Sequence, residues 1–333
     1  LFSVCYIFLL LNLQDDKIKI IIKVYLIIIF FVILDSLVQL VFGKDFFGYD
    51  YFFAYNRITG PFGDEMIVGF FTLNFGILTL SFLSFFNLIK QKTIYLILII
   101  LLIFVLITGE RTSFLTGLYF LLFLFFFSKN KLHIFFTSSI IVILSLFLIY
   151  NLSFLKNKYP VYEILQKSIN IQTNELKVED TLKVSDKIDI NEFIPIHKWQ
   201  GHFERSIEIF KKNIILGSGF RNYRIICFEY QKKYFESINI SKCSTHPHNF
   251  HFEILSDNGI LGYLIFLIFL FYLATPFFKE KYYKNFGISL LFCLILSFVF
   301  PIKTTGSIFT TNYAFIFWFL ISNYIYLIKK TKS

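Results

Sequence analysis

Along most of the chain apolar residues run in blocks separated by short polar links, at about 1–13, 18–42, 66–89, 93–108, 112–127, 132–152, 252–275, 286–301 and 308–328. Most blocks have roughly the 17–25 residues that an α-helix needs to cross a hydrocarbon core. They lack the apolar-polar alternation of a membrane-spanning strand. In lipid the backbone must satisfy its own hydrogen bonds, so the expected fold is all-α, a polytopic integral membrane helical bundle of about nine spans. Because the chain opens on Leu1 inside an apolar run, it is expected to be incomplete at its N-terminus. The polar stretch divides it into spans one to six at 1–152, a long extracytoplasmic loop at 153–251, and spans seven to nine with a cytoplasmic tail at 252–333.

Composition agrees with this picture. Hydrophobic residues make up 56% of the 333, and mean hydropathy is +0.66, whereas soluble domains are about 45–50% apolar. A formal charge of +10 in a soluble protein would point to nucleic acid, but here the lysines gather in alternate links. They are Lys17, Lys19 and Lys23; Lys90 and Lys92; Lys129 and Lys131; Lys279, Lys281 and Lys284; and Lys329, Lys330 and Lys332. These are topology signals, so membrane lipid is the expected partner and nucleic acid is not. The positive-inside rule turns those links to the cytoplasm, and parity turns 43–65, 108–111, 153–251 and 302–307 outward. All five arginines (Arg57, Arg111, Arg205, Arg221 and Arg224) then lie outside. Topology needs only positive charge, so confining arginine to that side suggests bidentate binding of phosphate or carboxylate there.

Within the outer segment, residues 156–195 are rich in lysine and acids, carry no motif and are expected to be a solvated insertion. Residues 198–214 read as an amphipathic helix with Phe203, Ile207, Phe210 and Ile214 as its apolar stripe and Arg205 off it. Gly217-Ser218-Gly219 breaks that helix; no strand precedes it, so it is not read as a nucleotide loop and no cofactor is expected. The run Ser244–Gly259 then places His246, His248 and His251 within six positions at the mouth of a helix. Cys227 and Cys243 share the outer segment, sixteen positions apart, where an oxidising compartment would let them form a disulfide. Zinc held by Cys243, His246, His248 and His251 is the rival; that spacing matches no common zinc pattern and ranks lower, so the expectation is no metal. Tyr223 reads as an aromatic-belt residue, and Arg221 and Arg224 as headgroup or solvent contacts.

These residues resemble the O-antigen ligase and O-antigen polymerase-like membrane glycosyltransferases. The ligases carry His, then Asn, Ser or Gln, nine residues, then Gly in their last large periplasmic loop, and His248-Asn249 with Gly259 fits that pattern. Arg57-Ile58-Thr59-Gly60-Pro61-Phe62 resembles the family's Arg-x-x-Gly-x-Phe loop. Thr108-Gly109-Glu110-Arg111 resembles its Ser-Arg turn, with Glu110 in place of the usual Ser. Arg205 followed by Gly217-Ser218-Gly219-Phe220-Arg221-Asn222-Tyr223 resembles the Arg-bearing helix and Gly-x-Gly segment before the catalytic His. A Thr-Thr pair that some ligases have just after the motif Gly is absent, Thr304-Thr305 being far downstream.

The resemblance implies transfer of a glycan from a polyprenyl diphosphate to an acceptor hydroxyl, of lipid A-core or similar, on the outer face of a bacterial inner membrane, without metal or nucleotide. His248 would be the base. Arg111, Arg205 and Arg57 would hold the diphosphate, with His246, Asn249, Tyr223 and Gly259 in support. The residues themselves point the same way, since departing diphosphate needs cations and an incoming hydroxyl needs a base. A polymerase or a protein O-oligosaccharyltransferase of the same architecture is the nearest alternative. An anion transporter is another, but it should carry charges near the midplane of its spans, where only Asp35 stands.

Overall fold

A computed structural model describes residues 2–51, 57–152, 155, 196–234, 243–309 and 312–332. The expected insertion at 156–195 lies outside the described residues. Among them regular structure is helical, apart from isolated bridge positions at Lys44, Asp50 and Arg57, the first two paired with each other. The helices are α1 (Phe2–Asn12), α2 (Asp15–Phe42), α3 (Val68–Phe85), α4 (Gln91–Ile107), α5 (Arg111–Phe127), α6 (Lys131–Asn151), α7 (Ile196–Lys212), α8 (Tyr223–Tyr234), α9 (Phe250–Lys279), α10 (Phe286–Val299) and α11 (Asn312–Lys332). Each apolar block has become one helix with ends shifted by a few residues, and the polar stretch contributes α7 and α8. Four of these, α2, α3, α6 and α9, are long and apolar enough to cross a membrane; α4, α5 and α10 are apolar but shorter.

The bundle is built around α10, which is buried along almost its whole length and packs on α3, α5 and α11. Small residues let the backbones meet: Ser81 Oγ on α3 donates to Gly287 O at 2.7 Å, and a Cβ on Gly287 would stand 2.5 Å from Ser81 O. Isoleucines and phenylalanines of α2, α6 and α9, among them Phe30, Ile143 and Phe271, face outward. In water such a surface would be costly, whereas lipid tails solvate it. Three of the five lysine links meet one another, Lys330 pairing with Asp15 at 2.9 Å and Lys332 with Glu280 at 3.4 Å. The links that alternate with the lysine links gather elsewhere, around a cavity.

Candidate active site

Hydrogen bonds join four links that are far apart in sequence. Gln39, fully buried on α2, accepts the N–H groups of Thr59 and Gly60 at 2.9 Å each and donates to Thr59 Oγ1 at 3.0 Å. That fixes the loop after Arg57, and Ile58 N–H donates onward to Thr108 O at 3.3 Å. Glu110 then reaches back to the start of α3, accepting Gly69 N–H at 2.6 Å, Phe70 N–H at 2.9 Å and Ser113 Oγ–H at 2.8 Å. It satisfies N–H groups that a helix start leaves open, and it sets a carboxylate at the positive end of the helix dipole. Burial pushes its carboxyl up to about 7, against the pull of those hydrogen bonds and of the Arg57 guanidinium.

From α5 the connection continues through Thr112 and Thr304, whose hydroxyls lie 3.0 Å apart. Thr305 N–H donates to His248 O at 2.8 Å, and Thr305 Oγ1 accepts Phe250 N–H at 2.9 Å. Asn249 is the N-cap of α9: its Oδ1 accepts from His251 and Phe252, while its Nδ2 donates to Pro301 O at 2.8 Å and Lys303 O at 3.1 Å. Lys303 keeps part of its surface accessible, but its ammonium is held between α5 and α10 by Thr116 Oγ1 at 3.0 Å and Ser297 O at 2.8 Å. Burial lowers its pKa to about 7.

The four links surround a cavity of about 800 Å³. Arg57, Glu65, Glu110 and Ser113 line it together with His246, His248, Thr304 and Thr305. Phe70 and Tyr313, stacked at 5.3 Å between centroids, complete the wall. Arg57 acts electrostatically on Glu110 and donates weakly to Met66 Sδ at 3.8 Å, and its Nε is buried with no hydrogen-bond partner among the described residues. A buried guanidinium N–H is costly to leave unmet, so this one is a donor poised for a ligand acceptor. His248 has a left-handed backbone, φ 55°, a conformation His tolerates better than most residues. Its ring centroid lies 4.4 Å from that of His246 and 5.3 Å, edge to face, from that of His202 on α7. Burial, and then the neighbouring His202, lower the pKa of His246.

The remaining expected site residues fall into two groups. Arg111 opens α5 between Glu110 and Thr112, which line the cavity although Arg111 itself does not. Arg205 is buried on α7 and pairs with Glu208 at 2.5 Å. Tyr223, Asn249 and Gly259 are scaffold. The Tyr223 ring is buried in protein rather than in an aromatic belt; its N–H donates to Asp257 Oδ1 at 2.8 Å and its hydroxyl to His202 O at 3.4 Å. At Gly259, φ 65° and ψ −168° break α9. Residues 214–219 cross the break: Ser218 and Gly219 N–H donate to Ser256 and Asp257 O, and Ile260 and Leu261 N–H donate to Ile214 and Ile215 O. Gly217-Ser218-Gly219 is therefore the partner of a broken helix. Arg221 and Arg224 stand with Tyr223, Glu253 and Asp257 around a second, small cleft instead of facing only headgroups or solvent.

Cys227 and Cys243 form a disulfide beside Ile209 and Tyr223. His251 is tied to Tyr263 Oη at 3.1 Å and Val299 O at 2.7 Å. The zinc set of Cys243, His246, His248 and His251 is thus not assembled. Residues 198–214 also need correcting. The helix ends at Lys212, and its buried face carries His202, Arg205, Ser206 and Ile209, while Ile207 and Ile214 of the expected apolar stripe are exposed. Sequence reasoning missed His202, whose signal was its place one helical turn before Arg205 on the same face. It also treated Glu110 and Thr304-Thr305 only as departures, yet both line the cavity.

A family model described as O-antigen ligase matches residues 96–267, more than half of the chain. No curated protein matches it. The matched region holds the 108–113 link, the His202 and Arg205 helix, the 246–249 turn and the break at Gly259. Such a match, over membrane-spanning helices, indicates a glycosyltransferase-type activity on lipid-linked glycan substrates, and the chain belongs to the O-antigen ligase family.

Proposed function

We propose that the chain transfers a glycan from a polyprenyl diphosphate donor to an acceptor hydroxyl, that of lipid A-core or a similar glycolipid, in the cavity between the four links. The observation that carries this reading is the meeting of Arg57, with its unmet buried Nε donor, and His248 on one cavity. His248 takes the proton of the acceptor hydroxyl, the role of a positioned imidazole base. The acceptor oxygen bonds to the anomeric carbon, and the bond from that carbon to the phosphate oxygen breaks, its electron pair leaving with the diphosphate. Attack opposite the leaving group inverts the anomeric centre. Arg57 on the cavity wall is the cation assigned to the departing diphosphate, by charge-assisted bonds that strengthen as its charge develops; Arg111 and Arg205, which are not part of that wall, would have to turn toward it to share the role.

Sidedness belongs to this proposal. The links meeting at the cavity are the ones parity turns outward, and three of the five lysine links pair with one another away from it. That fits nine spans in a bacterial inner membrane with the cavity on the periplasmic side, and the division at 1–152, 153–251 and 252–333. The test is transfer by the purified full chain in lipid nanodiscs, given a polyprenyl diphosphate-linked glycan and either lipid A-core, a second copy of the donor, or a serine-bearing peptide. Product on lipid A-core supports the ligase reading. Extension of the donor or glycosylation of the peptide would replace it by the polymerase or protein-glycosylating reading, and no transfer to any acceptor would end it.

A further inference from the structure

The turn after helix α7 exposes a surface ill suited to water. The face of α7 packed against the 244–253 region carries His202, Arg205 and Ser206, with Ser206 Oγ donating to Phe252 O at 3.1 Å. Its outer side is mostly charged, with Glu204, Glu208, Lys211 and Lys212 around the exposed Ile207, and the chain then continues through Ile214, Ile215 (69% exposed), Leu216 (70%) and Phe220 (64%). Four large apolar side chains within seven positions, all more than half exposed, would be a liability in water.

The hydrogen bonds at the α9 break fix where this surface sits. Ile214 and Ile215 O accept from Ile260 and Leu261 N–H, so the exposed isoleucines are level with the first residues beyond Gly259. From there Leu261, Leu264, Ile265 and Ile268 continue the outward apolar face of α9. Residues 260–279 form the helix beyond the break, and at 1.5 Å per residue they alone cross a hydrocarbon core of about 30 Å. The break therefore lies at the hydrocarbon boundary, and so does the 214–216 turn bonded to it. Lys211 and Lys212, both exposed, end α7 just before that turn, as cations do when they snorkel to headgroups beside an apolar anchor.

We propose that residues 207–220 form a membrane-seated shelf: Ile207, Ile214, Ile215, Leu216 and Phe220 insert into the acyl boundary of the bilayer. The shelf holds α7, and with it His202 and Arg205, at the level where a lipid-linked head group emerges. Bilayer lipid is the occupant, because the shelf is continuous with the lipid-facing side of a spanning helix and is joined to it by backbone hydrogen bonds.

The test is collisional accessibility of spin labels on the full chain in phosphatidylethanolamine and phosphatidylglycerol nanodiscs. Cys5→Ser and Cys293→Ser remove the free thiols and leave the Cys227–Cys243 disulfide. Single cysteines then replace Ile215, Leu216 and Phe220, with Ile265 as the lipid reference and Lys92 as the aqueous one. The shelf predicts an oxygen-to-nickel-complex accessibility ratio at all three positions several-fold above that at Lys92 and within the range of Ile265. A ratio equal to that at Lys92 would overturn it, and so would low accessibility to both reagents, the mark of cover by protein from this chain or another. Should Ile215→Cys, beside the α9 break, fail to fold, Phe220→Cys gives the same readout. No transfer activity is needed, so failure here is separate from failure of the glycosyltransferase reading.

Discussion

Gly259→Ala perturbs the joint between the site and the membrane helix that carries it. Gly259 has φ 65° and ψ −168°, a region open essentially to glycine alone, where another residue carries strain of about 1–3 kcal/mol. A Cβ there would also stand 2.4 Å from Ile215 O and 2.5 Å from Gly217 N, backbone atoms that cannot rotate away. Relieving that contact means parting 214–219 from α9 and losing the four backbone hydrogen bonds across the break, each contributing about 0.5–1.5 kcal/mol net. The combined loss is on the order of 3–9 kcal/mol, comparable with the whole stability of an ordinary domain. Gly43→Ala is the control: Gly43 has φ 79° with nothing within 4 Å of its would-be Cβ, so it bears only the left-handed penalty of about 1–2 kcal/mol. Thermal unfolding of the detergent-purified proteins should show a far larger fall in midpoint for Gly259→Ala, together with new proteolysis between α7 and α8. Equal shifts for the two variants would refute the joint.

Three further outcomes are expected. Non-reducing mass spectrometry should find Cys227 joined to Cys243, and Cys243→Ser should lower stability by about 3 kcal/mol on the chain-entropy model while transfer stays insensitive to chelators; chelator inactivation reversed by zinc would restore the metal reading. Glu110 should make stability depend on pH: its folded value of about 7 is raised above the ordinary 4.5, so its contribution is full below about 4.5 and is lost as pH rises through about 7. Unfolding midpoints measured between those limits should fall more steeply for the wild type than for Glu110→Gln, whereas parallel profiles would contradict this; Lys303, whose lowered value acts in the opposite sense at and above about 7, is common to both proteins. Cysteines at Arg57 and Lys90 should label from opposite sides of the membrane, and labelling from one side would remove the proposed orientation.

The helices were legible because a block of apolar residues has one stable answer in lipid, and each block became a helix within a few residues of its expected ends. His248, Arg57 and the turn at 246–249 were legible from motif and charge placement. What stayed hidden depends on contacts between distant links. Thr304 and Thr305 join the site only because Thr112 and His248 bond them across the bundle, and Glu110 becomes a cap for α3 only once the 108–110 link lies over Gly69. The face of α7 was misread for another reason. The polar His202, Arg205 and Ser206 share the buried face with Ile209, while Ile207 and Ile214 face out, an arrangement that an apolar-inward stripe does not anticipate and that a segment lying against a bilayer permits.

The most direct measurement of the central claim separates donor binding from turnover in His248→Ala. Full-chain protein in nanodiscs, presented with a fluorescent polyprenyl diphosphate-linked glycan, should bind the donor within a few-fold of wild type and yet lose transfer by about 10²–10⁴-fold, the usual contribution of a positioned base. In the same assay Arg57→Ala should weaken donor binding as well as turnover, and Arg57→Lys should recover only part, since lysine keeps the charge and loses the fork. Robust transfer by purified His248→Ala protein, or donor binding untouched by Arg57→Ala, would contradict the assignment of base and diphosphate site.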